Sequence, residues 1–88
     1  MKSRTTRTFW RRFDKLPADA QAHAREAYKQ FSADPAHPGL QFKRVSGSRP
    51  LYSVRIGIQF RAVGLLEGDT ITWFWIGAHD EYDRLLRS

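Results

Sequence analysis

Apolar residues near the N-terminus recur every three or four positions, at Phe9, Trp10, Phe13 and Leu16. This helical spacing predicts a short amphipathic helix from Thr8 to Lys15. Thr6 or Thr8 is expected to cap it, because a hydroxyl oxygen can accept a hydrogen bond from an N–H group that the first turn leaves free.

A second apolar stripe of mostly small residues follows, at Ala20, Ala24, Ala27, Tyr28 and Phe31. It predicts a second helix that starts with Pro17 at its first position and runs to about Ala33. The segment 34–39, rich in proline and ending in glycine, terminates it. The small alanines predict close packing against the first helix, so that a helical hairpin covers a sheet.

Beyond Leu40 the apolar period changes to two, which indicates strands. A first strand is expected from Leu40 to Val45, around Lys43 and Arg44, and residues 46–50 form a turn. From Tyr52 to Ala62 the even positions are apolar and the odd positions include Arg55 and Arg61. One face of this segment is therefore core, and the other carries two arginines.

The segment from Tyr52 to Ala62 could be one long strand or a hairpin. A three-residue loop at 57–59 keeps the apolar faces together and places Arg55 directly opposite Arg61. A two-residue loop would pair Arg55 with Phe60 and mix the two faces, so we reject it. In the favoured hairpin Ile58 is exposed at the tip. Under either surviving alternative both arginines share the face away from the helices.

The last strand is predicted from Thr70 to Ile76 and is apolar on both faces, which is typical of a strand covered on both sides. Its register is open, so Trp73 and Trp75 could each lie in the core or on the arginine face. Residues 79–86 are expected to form a short tail or helical turn. These elements predict a single α+β domain over residues 1–88, a helical hairpin packed on a small, mostly antiparallel sheet.

Charge and composition narrow the classes of partner. The chain has 88 residues, no cysteine and a net charge of +6, and eleven of its fifteen basic residues are arginine. The lack of cysteine excludes disulfides and cysteine zinc sites and agrees with the cytoplasm. No apolar run is long enough for a membrane span. Arginine matches phosphate oxygens and stacks on bases, so RNA is the favoured polyanion, although the charge could serve solubility alone.

The arginine pair is the strongest candidate for chemistry. Like charges directly opposite each other destabilise a sheet, and a phosphate bound between Arg55 and Arg61 would reverse that effect. The alternative is that each arginine points away and pairs with an acidic residue. His79 follows the buried last strand and could transfer protons near neutral pH. Tyr82 could stack on a base or supply a hydroxyl, whereas a surface histidine and a packed tyrosine are the simpler interpretations.

Other catalytic patterns are missing from the sequence. It contains no phosphate-binding glycine loop, no nucleophilic serine motif and no paired histidine spacing for zinc. His23 and His37 are interpreted as structural. We therefore expect no cofactor and no metal.

Five segments form a recognisable set: Leu16-Pro17 before the long helix, the segment 33–40, Tyr52-Ser53-Val54-Arg55, Phe60-Arg61-Ala62-Val63 and Trp75-Ile76-Gly77-Ala78-His79. Together they resemble the RelE/ParE superfamily, the toxins of bacterial type II toxin–antitoxin pairs. The resemblance covers roughly residues 9 to 86, and its most specific parts are the strand arginines and the ending before His79. It implies a helical hairpin on a mostly antiparallel sheet.

The resemblance also implies an activity. Many members enter a ribosome and cut mRNA without a metal ion, using the 2′-hydroxyl of the substrate as nucleophile. Arg55 and Arg61 then correspond to arginines that grip the scissile phosphate, and His79 to a histidine that transfers protons, with Tyr82 as the nearby aromatic. Lys43 and Arg44 correspond to a basic first strand, and together with Arg49 they are the expected RNA-binding residues.

The resemblance leaves two further functions open, and the chain differs from the family at one point. Its ParE branch inhibits DNA gyrase and cleaves nothing, and a plain RNA-binding module is a third reading. The usual N-terminal strand is expected to be short, since only Ser3 to Arg7 precede the first helix. The expected partners are the ribosome and mRNA, with gyrase as the alternative, and an acidic cognate antitoxin anchored on Ile58 and on Leu85 and Leu86.

Overall fold

The computed structural model describes residues 1–87, a single layer of sheet with helices on both faces. The strands are β1 (Lys2–Thr5), β2 (Lys43–Arg44), β3 (Leu51–Ile56), β4 (Phe60–Glu67) and β5 (Thr70–Ala78). The helices are α1 (Arg7–Asp14), α2 (Ala18–Ala33) and α3 (His79–Arg87), with a 3₁₀ turn at Pro38–Leu40. Within these residues no helix combines the length and hydrophobicity that crossing a membrane requires.

The five strands form one mixed sheet in the order β1-β5-β4-β3-β2. The short β1 runs parallel to β5, and every other neighbouring pair is antiparallel. The predicted α+β class and mostly antiparallel sheet are thus confirmed. The brief N-terminal strand is also present, and it covers the β5 edge that would otherwise be open.

The two N-terminal helices lie where the apolar spacing placed them. The Thr6 hydroxyl accepts a hydrogen bond from the Phe9 N–H group at 3.1 Å, so Thr6 is the cap of α1. Pro17 is the capping residue of α2 and not its first helical residue, and α2 ends at Ala33 as predicted. Phe9 and Phe13 bury one face of α1 against the sheet.

The predicted close packing between the two helices is wrong. Gln21 and Arg25 of α2 do reach Phe13 of α1, through a 3.0 Å hydrogen bond to its carbonyl and a guanidinium 5.2 Å from its ring centre. Between the helices, however, lies an apolar groove of about 500 Å³ above the sheet. The small side chain of Ala24 serves instead to bring α2 close to the sheet, in the same core cluster as Val54.

The β3–β4 hairpin agrees with its predicted register. Ile56 pairs with Phe60 and Arg55 with Arg61 across the three-residue loop. Gly57 has a φ of 61°, a left-handed conformation that glycine adopts without steric cost. Ile58 is 85% exposed at the tip.

The predicted first strand is mostly wrong. Leu40 belongs to the 3₁₀ turn, where it is almost fully buried, and the strand itself is only Lys43–Arg44. Gln41 separates the two with a φ of 47° and a ψ of 45°, so the extended conformation cannot begin before it.

A bulge in β5 settles the positions of the tryptophans. Val63 pairs with Trp75 and the next residue, Gly64, pairs with Trp73, which leaves Phe74 as an extra residue. Trp73 therefore joins the main core under α1 and α2. Trp75 faces the opposite side, where it packs with Val63 and Tyr82 in a second cluster.

The C-terminal segment is a full helix and not only a turn. Its Tyr82 is buried, and Leu85 and Leu86 pack against the second cluster from the same side. Helix α3 therefore covers part of the face that carries Arg55 and Arg61.

Candidate functional site

Arg55 and Arg61 lie opposite each other at the hairpin end of β3 and β4, on the face that α3 partly covers. The Nε of Arg55 donates to the Gly57 carbonyl at 2.8 Å. The guanidinium of Arg61 lies 5.3 Å from the centre of the Tyr82 ring, and its Nη2 donates to Gln41 Oε1 at 3.2 Å. None of these three contacts neutralises the positive charges.

Among the described residues neither arginine has an acidic partner. Within residues 1–87 the ion pairs closer than 4.0 Å join Arg12 to Glu81, His79 to Asp83 and Arg84 to Asp80. The alternative that Arg55 and Arg61 pair with carboxylates is therefore excluded in this conformation. In addition, Arg61 Nη1 is buried and has no hydrogen-bond partner in the described part of the chain.

This arrangement has the chemistry required to bind an anion. Two like charges paired across strands repel, and a buried N–H group without an acceptor loses the hydrogen bonds it would make in water. An anion with several oxygens removes both costs at once, because each guanidinium can donate two parallel hydrogen bonds. Phosphate is the biological anion that matches this geometry.

His79 is held at the junction of β5 and α3. Its N–H group donates to the Gln59 carbonyl at 2.8 Å, which ties the junction to the hairpin loop. Its ring centre lies 5.9 Å from that of Tyr82, so the Tyr82 ring is in contact with both His79 and the Arg61 guanidinium. The imidazole is 56% exposed and therefore accessible to a substrate.

Asp83 is a site residue that the sequence reasoning missed. Its Oδ2 lies 3.6 Å from His79 Nε2, one helical turn away. A carboxylate at this distance can orient the imidazole ring. The spacing of four residues between His79 and Asp83 was a usable signal, but only if the segment was taken as a helix.

Tyr82 is placed differently from a base-stacking residue. It is only 5% exposed, and its hydroxyl donates to Ser53 Oγ at 3.2 Å, with Ser53 completely buried. In this conformation its ring supports Arg61 and its hydroxyl is already engaged. Ser53, a small polar residue on the arginine face of β3, was also missed.

The three expected RNA-binding residues are all exposed but do not share one face. Lys43 pairs with Ser53, which puts it on the arginine face. Arg44 pairs with Tyr52 and so belongs to the opposite face, where its Nε donates to the Ser46 carbonyl at 2.9 Å. Arg49 lies in the loop between β2 and β3.

Arg12 of α1 ties the site to the rest of the fold. Its Nε donates to the Ile76 carbonyl at 2.8 Å, its Nη2 lies 3.3 Å from Glu81 Oε2, and its guanidinium lies 4.8 Å from the Trp75 ring centre. The other oxygen of Glu81 accepts from the Ala78 N–H group at 3.4 Å, as in a helix capping box. The start of α3, and with it His79, is thereby fixed to β5 and α1.

The apolar groove between α1 and α2 is a second surface feature, on the opposite face of the sheet. Its floor includes Phe9, Ile56 and Trp73. Two large aromatics at its edge are about half exposed, Trp10 at 48% and Tyr28 at 53%. Its lining also includes the basic residues Arg4, Arg25 and Lys29.

The histidines are dispersed and form no metal site. His23 lies on α2, and His37 accepts a hydrogen bond from the Gly39 N–H group at 3.1 Å through its Nδ1. Among residues 1–87 no three His, Cys, Asp or Glu side chains gather closely enough to hold an ion.

Solved structures with the same architecture are toxins of toxin–antitoxin systems. The RelB–RelE antitoxin–toxin complex from Methanococcus jannaschii aligns with a TM-score of 0.74 at 18% identity, over 92% of this chain and 96% of that one. The YoeB/ParE toxin from Agrobacterium tumefaciens gives 0.70 at 16% identity, over 90% and 99%. The RelBE2 complex from Mycobacterium tuberculosis gives 0.69 at 22%, over 89% and 96%. The fold is thus that of the RelE-like toxins.

A family model identifies the chain more closely. The model of the ParE-like toxin domain matches residues 18–84, from the start of α2 into α3. A sequence comparison with curated proteins gave no significant match. The chain belongs to the ParE-like toxin domain family, and it is a toxin of the RelE/ParE superfamily of toxin–antitoxin systems.

The buried hydrogen bond between Tyr82 and Ser53 should contribute measurably to stability. We expect Tyr82→Phe and Ser53→Ala each to lower the free energy of unfolding by about 1 kcal/mol. The double variant should lose less than the sum, because removing both polar partners leaves no unsatisfied group. Urea denaturation of the wild type, the two single variants and the double variant measures these free energies of unfolding. Strictly additive losses would mean that the two hydroxyls are not coupled.

Proposed function

We propose that this toxin is a ribosome-dependent, metal-independent mRNA endonuclease that acts in the cytoplasm and stops translation. The observation that carries the proposal is the Arg55–Arg61 pair, which has no acidic partner within residues 1–87 and lies beside the Tyr82–His79 contact. A phosphate bound by the pair would lie close to a group able to transfer protons. Anion binding and proton transfer are the two requirements of RNA cleavage without a metal.

The chemistry follows from these groups. The substrate 2′-oxygen attacks the adjacent phosphorus, the bond from phosphorus to the 5′-oxygen breaks, and a 2′,3′-cyclic phosphate and a 5′-hydroxyl result. The proton of the 2′-hydroxyl must leave and the 5′-oxygen must gain one. Arg55 and Arg61 stabilise the charge that develops on the phosphate oxygens. His79 takes the proton from the 2′-hydroxyl and returns it to the 5′-oxygen, while Asp83, one helical turn away, orients its ring.

The remaining basic residues extend the site for RNA. Lys43 lies on the arginine face and Arg49 is exposed in the neighbouring loop, so both can contact backbone phosphates. Such contacts give affinity without sequence preference. Arg44, on the other face of β2, is a weaker candidate for this role.

A second candidate function is inhibition of DNA gyrase without cleavage. The observation in its favour is that the matching family model is named for ParE, a branch that resembles RelE in fold but not in activity. The same basic surface would then bind a protein target. His79 and the orphaned Arg61 Nη1 have no assigned task under this alternative, which is why we rank it second.

The proposed partner is an acidic antitoxin, and the groove between α1 and α2 is its best docking site. A helical segment with apolar residues on one face and acidic residues beside them would bury Trp10 and Tyr28 while pairing with Arg25 and Lys29. The RelB–RelE complex from Methanococcus jannaschii, a structural neighbour, is itself a toxin with its antitoxin. Ile58, at the hairpin tip, is a second exposed anchor.

Pulse-labelling after induced expression tests the class of function. Incorporation of labelled amino acids should stop before DNA synthesis does. Arg55→Ala and Arg61→Ala should abolish toxicity and slow cleavage about 10²–10³-fold, since each removes charge stabilisation from the transition state. Arg11→Ala, which removes the same charge from an exposed position on α1, should remain toxic. Early arrest of DNA synthesis would favour gyrase, and no arrest would favour a plain RNA-binding module.

His79→Ala tests the proton transfer. Because the imidazole is exposed and its loss leaves the arginines in place, ribosome binding should persist. Single-turnover cleavage of ribosome-bound mRNA should fall about 10²–10⁴-fold. His23→Gln, on α2, is the matched control and should cleave normally. If His79→Ala cleaved at the wild-type rate, His79 would not be the proton-transfer residue, and Lys43 would become the candidate.

The groove variants Trp10→Ala and Tyr28→Ala test the antitoxin site. Each should weaken binding of the acidic protein encoded beside the toxin by about tenfold or more, since buried aromatics dominate such interfaces. Free toxin should keep its activity, because the groove lies on the opposite face from the arginines. The wild-type complex should survive a few hundred millimolar salt, which screens charge contacts alone. If only Ile58→Ala weakened binding, the hairpin tip would be the anchor.

A further inference from the structure

Gln41 has a backbone conformation that its side chain does not favour. Its φ of 47° is the only positive value at a residue other than glycine in residues 1–87. Glycine, asparagine and aspartate occupy this left-handed region most readily, and glutamine pays a steric cost there. A strained residue persists when its surroundings hold it in place, and such residues are concentrated at functional sites.

The neighbours of Gln41 hold it firmly. Leu40 is 1% exposed in the main core, and the Phe42 ring packs 5.1 Å from Phe31 and 4.9 Å from Tyr52, measured between ring centres. The Gln41 N–H group donates to the Pro38 carbonyl at 3.2 Å. The exposed Gln41 side chain is thus presented from a turn anchored by the buried Leu40 on one side and the half-buried Phe42 on the other.

The side chain uses this fixed position to contact a candidate catalytic residue. Gln41 Oε1 accepts a hydrogen bond from Arg61 Nη2 at 3.2 Å, between residues twenty positions apart. The Tyr82 ring supports the same guanidinium from below at 5.3 Å. A ring under the plane and an acceptor at the edge together restrict how the guanidinium can rotate.

We propose that Gln41 is a positioning residue that fixes the guanidinium of Arg61 in the orientation required to bind the scissile phosphate. In this role the inference rests on the proposed endonuclease function. The positioning role explains why position 41 is a glutamine. Glycine would relieve the backbone but give no acceptor, and asparagine is one methylene too short to reach Arg61. A glutamate would reach it but would neutralise the charge that attracts the phosphate.

A purely structural role would predict a different residue. The turn before β2 needs only a left-handed conformation, which glycine provides at the lowest cost. The exposed amide adds nothing to the core. Within residues 1–87 this side chain makes one hydrogen bond, to Arg61, the arginine whose buried Nη1 has no partner there.

The kinetic test compares Gln41→Gly, Gln41→Asn and Gln41→Glu. Gln41→Gly should melt at the same temperature as the wild type or higher, because backbone strain is relieved, yet kcat for cleavage should fall about ten- to hundredfold with little change in KM. Gln41→Asn should be equally slow. Gln41→Glu should also be slow, with a raised KM. Wild-type kcat in Gln41→Gly, or a loss of activity that follows a lower melting temperature, would overturn the proposal.

A second measurement is independent of cleavage. Nitrogen-15 NMR of the arginine side chains should show restricted Arg61 guanidinium rotation in the wild type and faster rotation in Gln41→Gly. Arg11, exposed on α1, serves as the mobile reference in both proteins. Identical Arg61 mobility in the two proteins would overturn the positioning role. Restricted Arg61 together with a wild type that cleaves no mRNA would support the positioning role and defeat the endonuclease function alone.

Discussion

The site depends on one irregularity in the sheet, the extra residue that β5 carries opposite Val63 and Gly64. Without it, Trp73 and Trp75 would face the same side, since alternate residues of a strand share a face. The bulge turns Trp75 to the arginine face, where it provides the apolar surface on which Tyr82 packs. Helix α3 can then dock there and bring His79 against Tyr82, the ring that also contacts Arg61. A regular β5 would leave the arginine face without a second core.

Docking α3 on this face also makes the arginine pair tolerable. Two guanidinium groups facing each other across strands cost free energy that a small core can offset only in part. The π face of Tyr82 attracts the Arg61 cation, and the Gly57 and Gln41 oxygens accept from the two side chains without cancelling their charge. The fold thus stabilises the pair with neutral groups and leaves its net charge available to an anion.

The sequence predicts those parts of the fold in which the apolar residues recur with one clear period. Of the two loop lengths weighed for the β3–β4 hairpin, only the three-residue loop keeps the even residues on one face, so the hairpin alternative predicted the pairing of Arg55 with Arg61. The same reasoning fails in β5, because a strand that is apolar on both faces contains no signal for a bulge at Phe74. It also fails at Gln41, because a left-handed turn is usually marked by glycine or asparagine. The contact between Asp83 and His79 could be predicted only if α3 was known to be a complete helix. The sequence of a short amphipathic tail does not establish that.

Basic residues of this chain, whose net charge is +6, lie on two surfaces on opposite faces of the sheet, and charge alone cannot distinguish the ligands that we propose for them. A net positive field attracts any polyanion, and in physiological salt it is screened beyond about 8 Å. Discrimination must therefore come from short-range geometry. The groove offers half-exposed aromatics and an apolar floor, which favour a folded peptide segment over a nucleic acid backbone. The arginine face offers a fixed pair of guanidinium groups, which favours a phosphate over a carboxylate-bearing helix. The same composition can thus support both ligands because the sheet separates the two geometries.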